Sequence, residues 1–304
     1  MPKVQNLTEP FCVYIPPDGR EMELQGEIKN ILFAKDRFLI AKGHEQKTYW
    51  AQNIWKNARI EKIESIKKAV LFLKAIQRNW WHFPLENVRR GILIQEQLPR
   101  IKDVSLTFPH QLSSTPMGAF TLLSENELLY SAHCSSDLPN GEYNFADADY
   151  ETPSLAYKKL WEALTRMQKF PTTGDLCVDI GSAPGSWTQA LLKMGARVVS
   201  LDRSELEIPA HENLQFIKGN AFTFKPEVIE NPSWIFSDII CYPDKLYELA
   251  KNWKKVHPHA NYVFTIKFQK TWDKKIVELF EKIPNSKVVH LFHNKHELCW
   301  ICGK

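Results

Sequence analysis

Leu176-Cys177-Val178-Asp179-Ile180-Gly181-Ser182-Ala183-Pro184-Gly185-Ser186-Trp187 decides how the rest of the chain is read. It opens with a short apolar run of the length and composition of a buried strand. The two glycines and the proline that follow are turn chemistry. Residues 187–194 then repeat apolar side chains at helical spacing. Strand, glycine turn and helix in that order set a loop at the carboxyl end of a strand, where open α/β sheets bind their ligands. Glycine there lets the backbone turn tightly and lets a ligand come close. The spacing is not G-x-G-x-x-G and carries no P-loop lysine, which argues against a nicotinamide enzyme and against an NTPase. Asp202 ends the next expected strand, 197–201. A carboxylate about twenty residues beyond such a loop can accept hydrogen bonds from the two hydroxyls of a ribose.

Outward from this stretch, helix and strand alternate. The periodicity predicts helices over 155–167, 245–253 and 274–281, and strands over 234–236 and 262–266. That alternation implies an α/β domain with a mostly parallel, doubly wound sheet. Residues 288–292 and 297–301, joined at an Asn294-Lys295 turn, predict a closing hairpin and therefore an antiparallel edge. Residues 139–153 are polar, with Asn140-Gly141, Asp147, Asp149 and Pro153, and mark a linker. The expected division is an N-terminal α+β domain at 1–145 and a second domain at 150–304. In the first, Phe11–Ile15 reads as a strand before the turn Pro16-Pro17-Asp18-Gly19. A hairpin is expected at 30–34 and 38–42, a helix at 66–76 capped by Ser65, and a strand at 127–134.

The composition, 44% hydrophobic and 24% charged over 304 residues, is that of a globular protein and excludes a disordered chain. No apolar run approaches the roughly 20 residues of a membrane span, and no secretion signal is read at the N-terminus. Six scattered cysteines, mostly in apolar segments, fit a reduced, cytoplasmic setting. The net charge of +4 is unevenly spread. From Glu151 onward 21 Lys and Arg face 17 Asp and Glu, against 18 of each before it. The excess is compatible with an anionic partner without identifying one.

With these features in place, the second half resembles the FtsJ-like family of RNA ribose 2′-O-methyltransferases, and within it the RlmM type that acts on bacterial large-subunit ribosomal RNA. The likeness runs from about Pro153 to Trp300. It rests on Pro153-Ser154 with Lys159-Leu160, Val178-Asp179 through Trp187, Ser233-Trp234 with Asp238, and Thr265-Ile266-Lys267. The resemblance implies a Rossmann-like domain that binds S-adenosylmethionine. It assigns cofactor contacts to Asp179, Gly181, Ser182, Ala183, Pro184, Gly185, Ser186, Trp187, Asp202, Asn220, Ala221 and Asp238. Ser186 stands where the family often has a second glycine. Asn220 stands where it usually has an aspartate, and an amide oxygen can still accept from an adenine amino group.

The resemblance also implies a catalytic Lys-Asp-Lys-Glu tetrad at Lys159, Asp238, Lys267 and Glu297, with Lys158 as the alternative first lysine. Taken singly each has an ordinary reading: a solvated helix lysine, a loop aspartate, a lysine snorkelling from a strand end, an edge glutamate. As a set they suit methyl transfer to a hydroxyl. Such a reaction needs alignment and a proton acceptor, and a lysine of ordinary pKa, about 10.4, is protonated at pH 7. Burial and a second lysine would lower that value. The expectation is that Lys267 is the general base beside Lys159, that Asp238 orients it, and that Glu297 holds the lysines or the ribose.

No metal is expected. His293-Asn294-Lys295-His296-Glu297 lacks the i, i+4 histidines of zinc hydrolases, and Cys299-Trp300-Ile301-Cys302 has no partner pair. The implied partner is RNA, ribosomal or otherwise, such as transfer RNA. A catalytically silent cofactor- or RNA-binding module is the competing reading, whereas base methylation would call for an N-P-P-Y-like loop that the sequence lacks. In the first domain, Lys67, Lys68, Lys74, Arg78, Arg89 and Arg90 interleave with Trp80, Trp81, His82 and Phe83, a mixture that suits phosphates and unpaired bases.

Overall fold

The computed structural model describes residues 9–102 and 104–303. The outer ends of both expected domains, 1–8 and 304, and part of the N-terminal segment read for a secretion signal lie outside the described residues. The chain separates into two compact units. One runs to Thr107 and resumes at Gln111–Phe145; the other comprises Phe108–His110 and Ala146–Lys304. No sequence signal announces that Phe108–His110 belongs with the second unit. There the Phe108 ring stacks on Trp161 at 4.8 Å.

The first unit is α+β. It contains β1 (Phe11–Ile15), α1 (Glu21–Glu27), β2 (Ile31–Lys35), β3 (Phe38–Lys42), β4 (Asn53–Lys56), β5 (Arg59–Lys62), α2 (Ile66–Ile76), β6 (Trp80–His82), α3 (Val88–Gln95), β7 (Gly118–Ser124), β8 (Glu127–Ser131) and β9 (His133–Cys134). One sheet has the order β2-β3-β1-β4-β9 and the other β5-β8-β7-β6. Ser65 caps α2 as expected, its side chain accepting from Lys68 N at 3.2 Å. The strand expected at 127–134 is broken instead, β8 pairing in one sheet and β9 in the other.

The mixed basic and aromatic segment sorts into inside and outside. Trp80 and His82 are buried, and Phe83 packs on Phe38 and Trp55. Lys67, Lys68, Lys74, Arg78 and Arg89 are exposed. Strand alternation and core packing therefore claim most of the rings read as base-stacking candidates.

The second unit contains α4 (Tyr157–Met167), β10 (Leu176–Ile180), α5 (Ser186–Lys193), β11 (Arg197–Asp202), β12 (Leu214–Lys218), β13 (Trp234–Ser237), α6 (Pro243–Val256), β14 (Asn261–Lys267), α7 (Lys274–Glu281), β15 (Ser286–Val289) and β16 (Glu297–Cys302). Its strand order is β12-β11-β10-β13-β14-β16-β15. The first five are parallel and the last two join antiparallel. This is the expected Rossmann-like, doubly wound α/β sheet with an antiparallel edge. Its central strands are buried along nearly their whole length, as two-faced cover requires. Chain direction across the sheet reverses between β10 and β13, and a crevice opens at such a switch point.

The hairpin differs from expectation. β15 ends at Val289 and β16 begins at Glu297, so 290–296 is a wide loop and not a two-residue turn. Behind the sheet edge, Trp300 is fully buried among Tyr262, Phe264 and Phe280, with ring centroids 5.4–5.6 Å apart. Its Nε1 donates to Ser286 Oγ at 2.7 Å. Trp300→Ala is expected to cost about 3–5 kcal/mol, read as a lower urea midpoint at unchanged slope.

Candidate active site

The crevice is built by the glycine loop. Gly181 has φ +73°, and a Cβ there would meet Ile239 Cβ at 2.6 Å. Gly185 has φ +115°, and its Cβ would lie 2.9 Å from Ile208 Cγ2. Both positions are therefore closed to other residues by conformation and by contact. Asp202, at the end of β11, braces the loop: Oδ2 accepts from Ala183 N at 3.0 Å and Oδ1 from Ser204 N at 2.8 Å. The result is a cavity of about 380 Å³. Among the expected cofactor residues all but Gly185 border it; Ser154, quoted only for the resemblance, joins them, as do Ala156, Arg203, Gly219, Phe222 and Ile240, which no motif marked.

These residues do different things. The Ser182 hydroxyl is buried and has no hydrogen-bond partner among the described residues. Ser186 Oγ and Ser154 Oγ lie 2.8 Å apart. Trp187 is a wall: it is buried, donates from Nε1 to Ala156 O at 2.8 Å and packs edge-on against Phe236. Asn220 Oδ1, expected to face a ligand amino group, already accepts from Phe222 N at 3.1 Å, which makes it a turn-former with one lone pair left. Asp179 borders the cavity, but its Oδ2 accepts from Thr188 Oγ1 at 2.6 Å, and Thr188 in turn contacts Ser200.

At one end of the cavity four charged side chains meet, each delivered by a different element. Lys159 comes from α4, Asp238 from just beyond β13, Lys267 from the last position of β14, and Glu297 from the first of β16. Lys159 Nζ lies 2.5 Å from Glu297 Oε1 and 3.6 Å from Asp238 Oδ2. Lys267 Nζ lies 3.1 Å from Asp238 Oδ1 and donates to the Asp238 backbone carbonyl. Their side chains are only 9–19% exposed. Lys158, one position along the helix, points elsewhere and pairs with Asp147 at 2.7 Å. The register of β14 and β16 sets Lys267 directly opposite Glu297.

Burial pulls the Lys159 ammonium down, but the Asp238 and Glu297 carboxylates outweigh it and hold it above the usual lysine value. At Lys159, therefore, the carboxylates win over burial. The two decoy motifs are absorbed by structure. Phe292 N and His293 N donate to Glu162, the His296 ring lies beside Phe268, and Cys299 and Cys302 fall on opposite faces of a strand. No group of three His, Cys, Asp or Glu suited to a metal occurs among the described residues. Nor is any described helix long and apolar enough to cross a membrane.

Burial pushes the Asp179 carboxyl up to about 7, with Asp238 and Asp202 adding to the rise and the Thr188 hydrogen bond opposing it. An unfolded aspartate ionises near pH 4. Between about pH 4 and 7 the unfolded chain releases this proton while the fold retains it, so this group makes stability fall as pH rises through that window and is level above it. Asp179→Asn keeps an acceptor for Thr188 and removes that slope. Its melting temperature relative to the parent is expected to rise by several degrees between pH 4 and 7. A difference that stays constant with pH would contradict the assignment.

Residues 153–282 match the family model described as FtsJ-like methyltransferase. The chain is similar to proteins named Ribosomal RNA large subunit methyltransferase M. The one from Xanthomonas oryzae pv. oryzae is 26% identical over 164 residues, covering 49% of this chain and 47% of the relative. The one from Xylella fastidiosa is 27% identical over 164 residues, covering 49% and 46%. The chain thus spans about half the length of the curated relatives it matches. Among solved structures, Aeropyrum pernix fibrillarin in complex with S-adenosyl-L-methionine aligns at 13% identity with a TM-score of 0.38, over 64% of this chain and 85% of that one. Residues 153–282 of the chain are thus similar to an FtsJ-like methyltransferase domain.

Proposed function

We propose that the protein transfers a methyl group from S-adenosylmethionine to the 2′-hydroxyl of a ribose in RNA, ribosomal RNA being the substrate class. The observation that carries this reading is the meeting of Lys159, Asp238, Lys267 and Glu297 at the end of the glycine-loop cavity. The RNA class is supported by the names of the curated relatives, which match this chain over half their length.

The cavity fits the cofactor on three counts. It falls within the size range of sites for small molecules. Ser182 offers a buried hydroxyl with no hydrogen-bond partner among the described residues. Asp202 keeps acceptor capacity after its two backbone bonds, suited to a ribose diol. Gly181, Pro184, Ser186 and Ala221 would enclose the cofactor and Asp179 would brace the loop from beneath. When bound, the cofactor supplies a methyl already activated by a sulfonium.

What remains for the chain is alignment and proton removal. Lys267, held by the Asp238 carboxylate and carbonyl, first gives a proton to water and then, as the neutral amine, takes the hydroxyl proton at Nζ. Lys159, kept cationic by its two carboxylates, supplies fixed positive charge beside the alkoxide as it forms. Asp238 touches both lysines and the cavity, so it couples the cofactor end to the acceptor end. Glu297 holds Lys159 in place. A reduced, cytoplasmic setting belongs to the same proposal.

Lys267→Ala is expected to lower kcat by at least ~10²-fold while S-adenosylmethionine binds with unchanged affinity by calorimetry. Near-normal turnover in that variant would overturn the assignment. Ser182→Ala is expected to do the reverse, weakening cofactor binding roughly tenfold with little change in kcat. Mapping alkali-resistant linkages in ribosomal and transfer RNA from cells with and without the protein identifies the acceptor. Loss of no ribose methylation would favour a silent cofactor-binding module, and loss confined to transfer RNA would relocate the substrate.

A further inference from the structure

Glu162 belongs to no motif and takes no part in the chemistry above, yet it is fully buried. It lies on α4 three residues beyond Lys159, on the same stripe of the helix. Its Oε1 meets Arg166 Nη2 at 2.7 Å and accepts from Arg166 Nε at 2.9 Å. The same carboxylate reaches off the helix, where Oε1 accepts from Phe292 N at 2.8 Å and Oε2 from His293 N at 3.2 Å. Those amides belong to the 290–296 loop that feeds β16. One bond ties that loop to the strand, Asn294 Nδ2 donating to Glu297 O at 3.1 Å, and one closes the loop on itself, His290 Nε2 lying 3.3 Å from Lys295 O. At the end of this chain of contacts, Glu297 meets Lys159.

A buried ion pair is weak evidence for stability, because desolvation offsets much of its Coulomb energy. An apolar side chain of similar volume could pack on α4 as well. It would leave two loop amides unpaired and the loop free to choose another path. The carboxylate can satisfy several donors at once, and Arg166 balances its charge.

We propose that Glu162 is a positioning residue for the methyl transfer: by clasping the Phe292 and His293 amides it sets the loop so that Glu297 stands against Lys159. The inference rests on the tetrad reading given above and adds to it the element that places its fourth member.

The groups in contact with Lys159 are Asp238 from beyond β13 and Glu297 from β16; Lys267 from β14 shares Asp238 with it, and Glu162 and Arg166 pair with each other on its own helix. Glu162→Asp keeps the charge but withdraws it by one methylene, so its effect reports the position of the loop and not the loss of a charge. In the full chain, the Lys159 Cε resonance is expected to titrate at lower pH in Glu162→Asp than in the parent, because Glu297 no longer supports the ammonium. With in vitro transcribed large-subunit ribosomal RNA, kcat is expected to fall by on the order of 10²-fold, with KM for S-adenosylmethionine unchanged. Asn294→Ala, which cuts the tie between loop and Glu297, should move the titration the same way. Trp161→Ala, which removes the ring stacked on Phe108, should lower the melting temperature and leave the titration in place.

A Lys159 titration that is unmoved in both Glu162→Asp and Asn294→Ala overturns the proposal, as does one that Trp161→Ala moves equally. If Lys267→Ala is inactive while Glu162→Asp keeps full kcat, the tetrad stands and the positioning role falls. If Lys267→Ala keeps its turnover, both fall together.

Discussion

Two lysines and two carboxylates share a crevice with little access to water, and the second unit is arranged around that fact. No charge could remain there alone, since removing one partner of a buried pair leaves an uncompensated charge and costs several kcal/mol. Lys159 resolves the problem by standing between Asp238 and Glu297, and Lys267 by taking both a carboxylate and a carbonyl from Asp238. The four groups come from a helix, a strand exit, and the facing ends of two antiparallel strands. Their balance is therefore a property of tertiary structure. No single element contains it, and each element has to be at the right depth for the charges to cancel.

Asp238 is the joint between the two halves of the site. It borders the cavity that the glycine loop encloses, and it contacts both lysines. It also reaches by charge to Asp179 beneath the loop, where burial has already raised the carboxyl. The two ends of the site are thus coupled by charge, and a change of charge at one is felt at the other through poorly screened protein. Backbone rigidity supports this: the glycines at 181 and 185 admit no Cβ, so the loop approaches Ile239 and Ile208 closely.

How much of this could be read from the sequence depends on whether a residue's neighbours are local. The strand, glycine turn and helix at 176–194 were legible because each signal lies within a few residues of the next. The tetrad was legible only through family resemblance, since its members are far apart in the chain. Helical phase separates Lys159 from Lys158, but periodicity alone did not say which face of α4 looked inward. β12 went unread because it is a sheet-edge strand with Gln215 and Lys218 outward, closer in pattern to a loop. Glu162 was invisible for a sharper reason. A glutamate four residues before an arginine on a helix reads as a solvated surface pair, and only the fold shows it buried. In the first unit, the rings at 80–83 looked like a binding surface because composition does not say which way alternate strand residues face.

The register of β14 with β16 has a further consequence. Lys267 and Glu297 are opposed across an antiparallel pair, and the side-chain direction alternates with each residue along the strand. One residue inserted within β16 would turn Glu297 to the far face of the sheet, whereas two would restore its face but carry it about 7 Å along the strand. Strand pairing here serves as a graduated scale on which a single mark is usable. One strand in from the edge of the sheet, β16 is a place where length cannot drift.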